Sequence, residues 1–457
     1  MKLSSSQVRN LTGFGMPLDG ADSYVSSPRN VQDISEILAL SRSNGRKIVL
    51  RGSGKSYGDA ALYPEAIGIS FENMASVGHV EDGILIAEAG ATLDAIWRTS
   101  LPQGYWPPVV TGTSFPTLSG ALAMNVHGKN AFLVGTLGEN IEWIEVLDTS
   151  GTLHRLRPDQ PDFWGVIGGA GLVGIIIRAG IRMKAVSSGS LKVSCKVVGS
   201  WEEHFAAFAQ AGNSDYMVSW VDLYSGGRGI FHSAVHTTGE GLGLNPINQV
   251  KTGRLFGILP RDKVYIPLKI LNNPIGMRTI NALKYRMAKA FEDGKISLQS
   301  HAQFHFLLDS VPGWEKSYDP FGLLQFQCFI PEDRALGTFK LLAEVQKGHG
   351  IISFLGVMKK HKRSKTILNY SVDGYSLAMD FKRAADPRPL QLLCDEMTKI
   401  VIESGGKLYL AKDSAMTADM LLAMHGEQKL NEFRAIRQKF DPENLLSSSL
   451  GQRLGLN

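Results

Sequence analysis

A glycine-rich segment that directly follows a predicted strand is the feature that most constrains this chain. Residues 47–50 read KIVL and predict a strand, and residues 51–59 read RGSGKSYGD. Glycines let consecutive backbone N–H groups approach a phosphate without a Cβ clash, and Ser53, Lys55 and Ser56 add side-chain donors. The spacing fits neither a Walker loop nor a GxGxxG motif. The segment therefore predicts either a phosphate cradle of another kind or an ordinary tight turn.

Two further glycine-rich segments favour the phosphate cradle. Residues 112–130 read GTSFPTLSGALAMNVHGKN and add hydroxyl and amide groups, and residues 168–174 read GGAGLVG before an apolar run. Each loop alone is compatible with a purely structural turn. Three of them in one region suit a long dinucleotide that lies across several exposed backbones. We therefore predict a bound dinucleotide cofactor.

The bulk composition is that of an ordinary globular protein. The chain has 457 residues, of which 44% are hydrophobic and 20% are charged, enough for two or three domains. Its net charge of +5 favours anionic ligands such as phosphates but does not by itself indicate nucleic acid. Cys195, Cys328 and Cys394 are far apart, so we expect no disulfide, no metal site and a reducing compartment.

The N-terminal residues and the hydropathy pattern exclude two further classes. Residues 1–15 lack the apolar core of a signal peptide. No run of about 18 apolar residues occurs anywhere, so we expect no transmembrane span. A cytoplasmic protein is therefore expected.

Short strands alternate with helical patterns, which predicts a mixed α and β architecture. A helix is predicted from an N-cap at Asn30 to a stop at Gly45. Pro260, Pro267 and Pro274 are expected to break any long helix in the stretch 251–289. The other predicted elements are strands at 84–89, 323–330 and 375–381, helices at 93–101 and 390–403, and a strand and turn at 406–414.

In this order, the three glycine-rich segments resemble the FAD-binding domain of the vanillyl-alcohol oxidase superfamily, which is of the PCMH type. The sequences GGKLYLAKDSAMT at 405–417 and RQKFDPENLLSSSL at 437–450 narrow the resemblance to the decaprenylphosphoryl-β-D-ribose 2-oxidase family. The resemblance runs essentially end to end and implies a two-domain α+β fold. Residues 1–187 and 407–457 would bind FAD, and an antiparallel-sheet substrate domain, 188–406, would be inserted between them.

The resemblance also implies that the FAD is bound without a covalent link. Many members of the superfamily carry a flavin-linked histidine where this chain has Lys55, and the segment 120–130 contains no cysteine. The residues that the resemblance implies for FAD binding are Arg51, Gly52, Ser53, Gly54, Lys55, Ser56, Tyr57, Gly58, Gly112, Thr113, Thr117, Ser119, Gly120, Asn125, His127, Gly128, Asn130, Gly174, Ile176 and Tyr409.

The implied chemistry is hydride transfer from a carbinol carbon to flavin N5 while a base takes the hydroxyl proton. Lys412 and Tyr57 match family positions near the substrate and the flavin. A Lys412 with a lowered pKa could act as the base, and a charged Lys412 could instead stabilise a developing alkoxide. A third interpretation is that Lys412 only pairs with Asp413.

Two glutamines are candidates for recognising the substrate. Gln325 and Gln327 lie two apart on a predicted strand, so both point to one side, which suits sugar hydroxyls or a plain exposed face. The resemblance implies that they face the pocket. It implies substrate contacts for Lys129, Lys359 and Lys412 as well.

The chain departs from the family at three further positions that the resemblance implies for the substrate. The family has a tyrosine where this chain has Phe306 and an asparagine where it has Ser376. Mycobacterial members have a cysteine, the site of covalent inactivation by nitroaromatic inhibitors, where this chain has Ala378. We therefore expect resistance to adduct formation, and a change in how sugar hydroxyls are distinguished.

The favoured function is oxidation of the C2 hydroxyl of a polyprenyl-phosphate-linked pentose to a keto sugar. This is the first half of an epimerisation in cell-envelope arabinan biosynthesis, and a short-chain reductase would complete it. An oxidase or dehydrogenase of a soluble sugar or alditol is the main alternative. A non-catalytic flavin-binding partner subunit is a third interpretation, although such a scaffold has no need of Lys412, Tyr57 and the glutamine pair.

The stretch 251–289 is basic and apolar at once. It contains nine Lys or Arg residues and one acidic residue, Asp262, interleaved with aliphatic side chains. Such a stretch predicts either a peripheral contact with anionic lipid on the inner face of the plasma membrane or a solvated insertion. No nucleic-acid partner is expected.

Overall fold

The structure, a computed structural model, describes residues 3–246, 254–255 and 259–457. The α-helices of these residues are α1 Val31–Asn44, α2 Leu93–Ser100, α3 Leu118–Ala123, α4 Ala131–Val134, α5 Pro161–Val166, α6 Trp201–Gln210, α7 Tyr265–Leu271, α8 Pro274–Phe291, α9 His301–His305, α10 Glu332–Gly348, α11 Arg388–Glu403, α12 Ala418–Phe440 and α13 Ser449–Arg453.

A four-stranded sheet near the N-terminus carries the first glycine-rich segment at the end of one strand. Its order is β1-β2-β4-β3, and its strands are β1 Val8–Gly13, β2 Met16–Ser26, β3 Ile48–Arg51 and β4 Ile67–Ser70. Helix α1 covers this sheet through the fully buried Ile34 and Ile37, which pack in one cluster with Ile48. The predicted caps are confirmed, because Asn30 accepts a hydrogen bond from the Asp33 N–H and Gly45 ends the helix in the left-handed region.

A second, antiparallel sheet has five strands in the order β5-β6-β10-β8-β9. Its strands are β5 Val77–Glu81, β6 Ile84–Glu88, β8 Ile141–Leu147, β9 Leu153–Leu156 and β10 Ile175–Arg182, and a separate two-stranded ribbon pairs β7 Tyr105–Trp106 with β11 Lys184–Ala185. The third glycine-rich segment leads directly into β10.

The largest sheet has eight antiparallel strands in the order β17-β12-β14-β13-β19-β20-β18-β21. Its strands are β12 Ser190–Val198, β13 Tyr216–Asp222, β14 Arg228–His236, β17 Ile296–Ser300, β18 Leu323–Pro331, β19 Leu355–His361, β20 Gly374–Lys382 and β21 Lys407–Leu408; β15 Arg254–Leu255 and β16 Leu259–Pro260 form a separate pair. Buried residues of the five-stranded and eight-stranded sheets, including Ile144 and Leu377, belong to one apolar core. The fold is α+β, as predicted.

The strand and turn predicted at 406–414 are confirmed, since Lys407–Leu408 is a strand and residues 410–412 form a turn. One prediction about local structure is wrong. The prolines do not prevent a long helix, since α8 runs unbroken for 18 residues from Pro274 to Phe291. Pro274 occupies the first turn, where its missing N–H would have no helical partner anyway, and Asn273 caps the helix.

The predicted domain limits remain a prediction, although β21 lies at the edge of the large sheet while its residues were assigned to the FAD-binding part. Residues 251–253 and 256–258, within the basic apolar stretch, lie outside the described residues. None of the helices that the structure describes is long and apolar enough to cross a membrane.

Candidate functional site

One cavity of about 560 Å³ brings most of the predicted site residues together. Residues of the segments 51–57, 111–127 and 170–176 line one end of it. Strands β13, β14, β18, β19 and β20 of the large sheet line the other end. The cavity therefore joins the glycine-rich loops to the sheet on which substrate residues were predicted.

The first glycine-rich loop presents free backbone donors to this cavity. Within the described part of the chain, no backbone N–H of residues 52–56 donates a hydrogen bond, although all five residues line the cavity. Consecutive free N–H groups form a concave nest that binds an anion such as a pyrophosphate. The loop therefore fits the phosphate cradle that its sequence predicts.

Two glycines of this loop are required by close contacts. A Cβ at Gly52 would lie 2.2 Å from the hydroxyl oxygen of Thr117, in the second glycine-rich segment. A Cβ at Gly58 would lie 2.0 Å from the carbonyl oxygen of Asp413. Any side chain at these positions would push apart the segments that surround the cavity.

Arg51 and Lys55 have different surroundings within the loop. The Arg51 guanidinium donates to the carbonyl oxygens of Thr12, at 3.0 Å, and Ala61, at 3.3 Å, so it fixes the loop rather than facing a ligand. The Lys55 ammonium nitrogen lies 5.1 Å from the ring centroid of Phe14 and lines the cavity.

Most of the residues predicted for cofactor binding line the cavity. They are Arg51, Gly52, Ser53, Gly54, Lys55, Ser56, Tyr57, Gly112, Thr113, Thr117, Ser119, Gly120, His127, Gly174, Ile176 and Tyr409.

Four predicted cofactor residues, Gly58, Asn125, Gly128 and Asn130, lie off the cavity lining. The amide of Asn125 accepts a hydrogen bond from the Gly138 N–H and donates one to the Ser364 hydroxyl. Asn130 donates to the Pro108 carbonyl oxygen at 2.7 Å. These two asparagines therefore stabilise the loops behind the cavity.

The C-terminal segment is held against the first glycine-rich loop. The Tyr57 N–H donates to the Ala411 carbonyl oxygen at 2.9 Å. Arg453 lies 2.8 Å from both Asp59 and Asp413, so one guanidinium ties the loop to the segment. These contacts place Lys412 at the cavity.

Lys412 does not pair with Asp413, whose carboxylate is taken by Arg453. Its ammonium nitrogen instead lies 3.5 Å from the centroid of the Tyr57 ring. Burial lowers the pKa of Lys412 to about 7; the charge of Asp380 opposes this shift and the charge of Lys359 adds to it. The side chain is therefore able to exchange a proton near neutral pH.

Asp380 is a site residue that the sequence did not reveal. It lies on β20 directly opposite Gln325 on β18, whose amide donates to its carboxylate at 2.5 Å. Burial raises the pKa of Asp380 to about 6, while the Gln325 hydrogen bond and the charge of Lys412 lower it. The cavity thus holds a buried carboxylate whose charge acts on Lys412.

His127 is held as a neutral ring. The Gln327 amide donates to its Nε2 at 3.0 Å, which requires that nitrogen to be unprotonated. Burial lowers the pKa of His127 well below its usual value, and the charge of Lys359 adds to this effect. The second predicted glutamine therefore orients a histidine as well as lining the cavity.

Two more lysines lie at the sheet end of the cavity. Lys129 is buried, and its ammonium group donates to the Phe304 carbonyl oxygen and lies 4.2 Å from the Phe304 ring centroid. Burial lowers the pKa of Lys359 to about 8. Burial lowers the pKa of Lys129 well below its usual value, so Lys359 retains its positive charge at neutral pH better than Lys129 does.

Of the residues predicted to bind substrate, Lys129, Gln325, Gln327, Lys359, Ala378 and Lys412 line the cavity. Phe306 and Ser376 are placed elsewhere. Phe306 packs against Trp97 and Trp106, with ring centroids 6.2 Å away in both cases. Ser376 is fully buried, 2.7 Å from the Nε2 atom of His361.

Three residues that line the cavity were not predicted from the sequence: Asp380, Trp220 and His305. Ser376, Ala378 and Asp380 follow at intervals of two on β20, the same spacing that identified the glutamine pair. That alternation was the available signal for Asp380. No comparable pattern marks the other two.

Comparison with known families agrees with this geometry. Residues 23–157, which include the first two glycine-rich segments, match the FAD-binding domain family. A relative from Mycolicibacterium smegmatis named decaprenylphosphoryl-β-D-ribose oxidase is 28% identical, and the alignment covers 98% of each chain. The chain is an FAD-dependent oxidoreductase. It is a flavoprotein with a PCMH-type FAD-binding domain, similar to this oxidase along its whole length.

Two other relatives match shorter parts of the chain. Cytokinin dehydrogenase 10 of Oryza sativa is 27% identical over 37% of this chain and 34% of its own length. Cytokinin dehydrogenase 3 of Arabidopsis thaliana is 27% identical over 40% of this chain and 36% of its own. The likeness to the Mycolicibacterium oxidase covers 98% of this chain and therefore includes the large sheet.

Proposed function

We propose that this oxidoreductase oxidises the C2 hydroxyl of a polyprenyl-phosphate-linked pentose of the decaprenylphosphoryl-ribose type to a keto sugar. The observation that carries the proposal is the placement of Lys412, with its lowered pKa, beside two glutamines and the neutral His127 in the cavity that the FAD-binding loops line. The name of the full-length relative supports the substrate class.

FAD fits the loops because their free N–H groups suit its pyrophosphate. When bound, its isoalloxazine ring would supply a hydride acceptor. Residues 52–56 and the second glycine-rich segment would hold the cofactor. The segment that ends in Lys412 closes this part of the cavity through its hydrogen bond to Tyr57.

Lys412 is the base in this proposal. With a pKa of about 7, a substantial fraction of its amine is neutral at physiological pH and can take the proton of the substrate hydroxyl. The Tyr57 ring under the ammonium nitrogen stabilises the protonated form that results.

Recognition of the sugar falls to the cross-strand face of β18 and β20. Gln325 and Gln327 lie on that face opposite Asp380 and Ala378. Amide groups held by the Asp380 and His127 contacts are oriented before substrate binds, which favours hydroxyl recognition. Lys359, with a pKa of about 8, adds positive charge suited to a phosphate diester, and Lys129 adds a hydrogen-bond donor.

A deuterium isotope effect tests this assignment. We expect substrate with deuterium at C2 to slow reduction of the bound flavin, because the C2–H bond breaks in that step. Substrate with deuterium at C3 is the matched control and should react at the normal rate. A slowing with the C3 isotopologue alone would move the oxidation to another carbon and contradict the proposal.

We further propose that the keto sugar passes to a separate short-chain reductase that completes an epimerisation in cell-envelope arabinan biosynthesis. A keto sugar on a lipid phosphate requires a reductant to become an epimer. Incubation with a nicotinamide-dependent short-chain reductase should convert ribose to arabinose on the same lipid. Formation of arabinose without any reductase would contradict this division of the reaction.

The membrane contact predicted for the stretch 251–289 remains a proposal, and the described helix α8 supports it. Ile275, Leu283, Met287 and Phe291 follow at multiples of four along α8, and their exposed fractions are 80%, 58%, 41% and 66%. The helix carries four basic residues and no acidic one. An apolar stripe flanked by cations suits the surface of an anionic bilayer, where a lipid-linked substrate resides.

Vesicle flotation tests the membrane contact. The holoenzyme should float with vesicles that contain anionic phospholipid, and the double variant Leu283→Asp/Phe291→Asp should remain in solution. Leu392→Asp is the matched control, since Leu392 is 62% exposed on α11, away from this stripe. Equal flotation of the double variant and the wild type would contradict the proposal.

A further inference from the structure

We propose that Cys195, His232 and Glu292 form a binding site for a thiophilic divalent transition metal of the zinc class. The ligand atoms of these three side chains all lie within 4.8 Å of one another. Thiolate, imidazole and carboxylate are the ligand types that zinc takes in proteins, and three of them leave a fourth position open. The site is separate from the FAD-binding loops.

The register of the large sheet brings the first two ligands together. Cys195 on β12 lies directly opposite His232 on β14. The backbone N–H and C=O of Cys195 bond to Lys295 and Gly294, on the side away from β14. Cys195 and His232 are therefore a non-hydrogen-bonded pair, the kind in which facing side chains approach most closely.

The third ligand is positioned by the turn that follows α8. Glu292 is the first residue after α8, and its N–H donates to the Ala288 carbonyl oxygen. The next residue, Asp293, accepts a hydrogen bond from the Val197 N–H on β12 at 2.8 Å. The turn is thereby fixed to the strand that carries Cys195.

The three side chains have few competing interactions. Among the described residues, the Cys195 thiol, the His232 imidazole and the Glu292 carboxylate make no hydrogen bond and no ion pair, although the charge of Lys284 acts on Glu292. Their ligand atoms converge within 4.8 Å of one another around one point. That point is where a cation would sit.

The local charge favours a cation over a free thiolate. The Cys195 thiol is buried near the carboxylates of Glu292 and Asp293. The same carboxylates attract a divalent ion, which in turn favours the thiolate by displacing its proton. The charge of Lys284 acts on Glu292 and His232, and that of Lys129 acts on His232, so both lysines oppose the binding of a further cation to some extent.

Metal in this site would connect α8 to the sheet. His232 also lines the cavity, so the ion would lie next to the far end of the substrate space. Such a site was not predicted from the sequence, because its ligands come from two strands and a helix end that are far apart along the chain.

Cobalt substitution tests the proposal on the intact holoenzyme. After treatment with a chelator, the protein with reduced thiols and oxidised flavin is titrated with Co²⁺. The d–d bands of Co²⁺, which absorb at longer wavelengths than oxidised flavin, are recorded. We expect saturable bands of tetrahedral intensity that Zn²⁺ abolishes. Cys195→Ser should remove these bands, and Glu292→Gln should weaken Co²⁺ binding by about tenfold or more.

Glu292→Gln keeps the test decisive if Cys195→Ser does not fold, because Glu292 is exposed at a helix end. Glu36→Gln is the matched control, an exposed carboxylate on α1 that should leave Co²⁺ binding unchanged. Absence of saturable bands would overturn the proposal. So would bands that are equally strong in wild type and in Glu292→Gln.

Discussion

The side-chain amide of Gln325 donates a hydrogen bond to the carboxylate of Asp380, its direct cross-strand partner. This bond holds the buried negative charge of Asp380 near Lys412. Burial lowers the pKa of Lys412, and the charge of Asp380 raises it. Two strands of the large sheet therefore adjust the protonation of a residue that the C-terminal segment delivers. The coupling between Asp380 and Lys412 leads to the first two predictions.

Asp380→Asn should shift the pH dependence of flavin reduction to lower pH. The wild-type rate is expected to rise with pH as Lys412 loses its proton near its pKa of about 7. Removing the negative charge disfavours protonated Lys412, so its pKa falls and the rise occurs earlier. Stopped-flow measurement of the rate of flavin reduction at a series of pH values gives this dependence. Asp333→Asn, at an exposed residue of α10, is the control. A rise in rate that moves to higher pH in Asp380→Asn would contradict the prediction.

Lys412→Met should slow flavin reduction by about 100-fold or more, because the substrate hydroxyl loses its base. FAD content should stay near normal, since the side chain contributes no part of the free N–H nest. Single-turnover reduction at saturating substrate measures the effect. Lys399→Met, at an exposed lysine of α11, should react like the wild type. A reduction rate that hardly changes in Lys412→Met would remove Lys412 from the chemistry.

Gly58→Ala should weaken FAD binding and lower the free energy of unfolding by about 1–3 kcal/mol. Its Cβ would meet the Asp413 carbonyl oxygen at 2.0 Å and displace the segment that carries Lys412. Gly337→Ala is the control, because nothing lies within 4 Å of its Cβ and the position is inside α10. The control should gain about 0.5–1 kcal/mol. Thermal unfolding and flavin fluorescence report both effects, and equal stability of the two variants would contradict the packing argument.

Acid precipitation should release yellow FAD into the supernatant. Lys55 stands at the position of the usual histidine tether and lies between aromatic rings at the cavity. Its amine forms no histidyl-type bond to the flavin. Absorbance of the supernatant and pellet gives the result. Colour that stays with the pellet would show a covalent attachment that the structure does not explain.

Nitroaromatic inhibitors that attack a cysteine in related oxidases should form no covalent adduct with this protein. Ala378 lines the cavity and offers no nucleophile. Cys195, Cys328 and Cys394 are buried, and burial raises the pKa of each thiol to about 12, so the reactive thiolate is scarce. Intact-protein mass spectrometry after turnover with the inhibitor measures adduct formation. A mass increase equal to the inhibitor or to its reduced nitroso form would contradict this expectation.

Much of the cofactor end could be predicted because its signals are local. The loop 51–59 follows β3 directly, so the position of its glycines shows where backbone donors must be exposed. The caps of α1 are likewise local signals, because Asn30 and Gly45 directly flank the two ends of the helix. Where the sequence failed locally, at Pro274, the error came from treating a first-turn proline as a helix breaker.

The sheet end of the cavity depends on pairings that local sequence does not show. Asp380 faces Gln325 only through the register of β18 with β20, and Phe306 turns toward Trp106 because that apolar cluster encloses it. Ser376 is drawn toward His361 by a hydrogen bond across neighbouring strands. These contacts are long-range, so alternation along one strand predicts which residues share a face but not what they meet.

The most direct test of the central claim is anaerobic reduction of the bound flavin by candidate substrates. The account predicts loss of the oxidised-flavin absorbance with lipid-phospho-ribose and none with alditols of the same carbon number. Reduction by alditols but not by the lipid-linked sugar would contradict it and favour a soluble-sugar oxidase. Absence of reduction by either would contradict it as well, and would favour a flavin-binding subunit without turnover of its own.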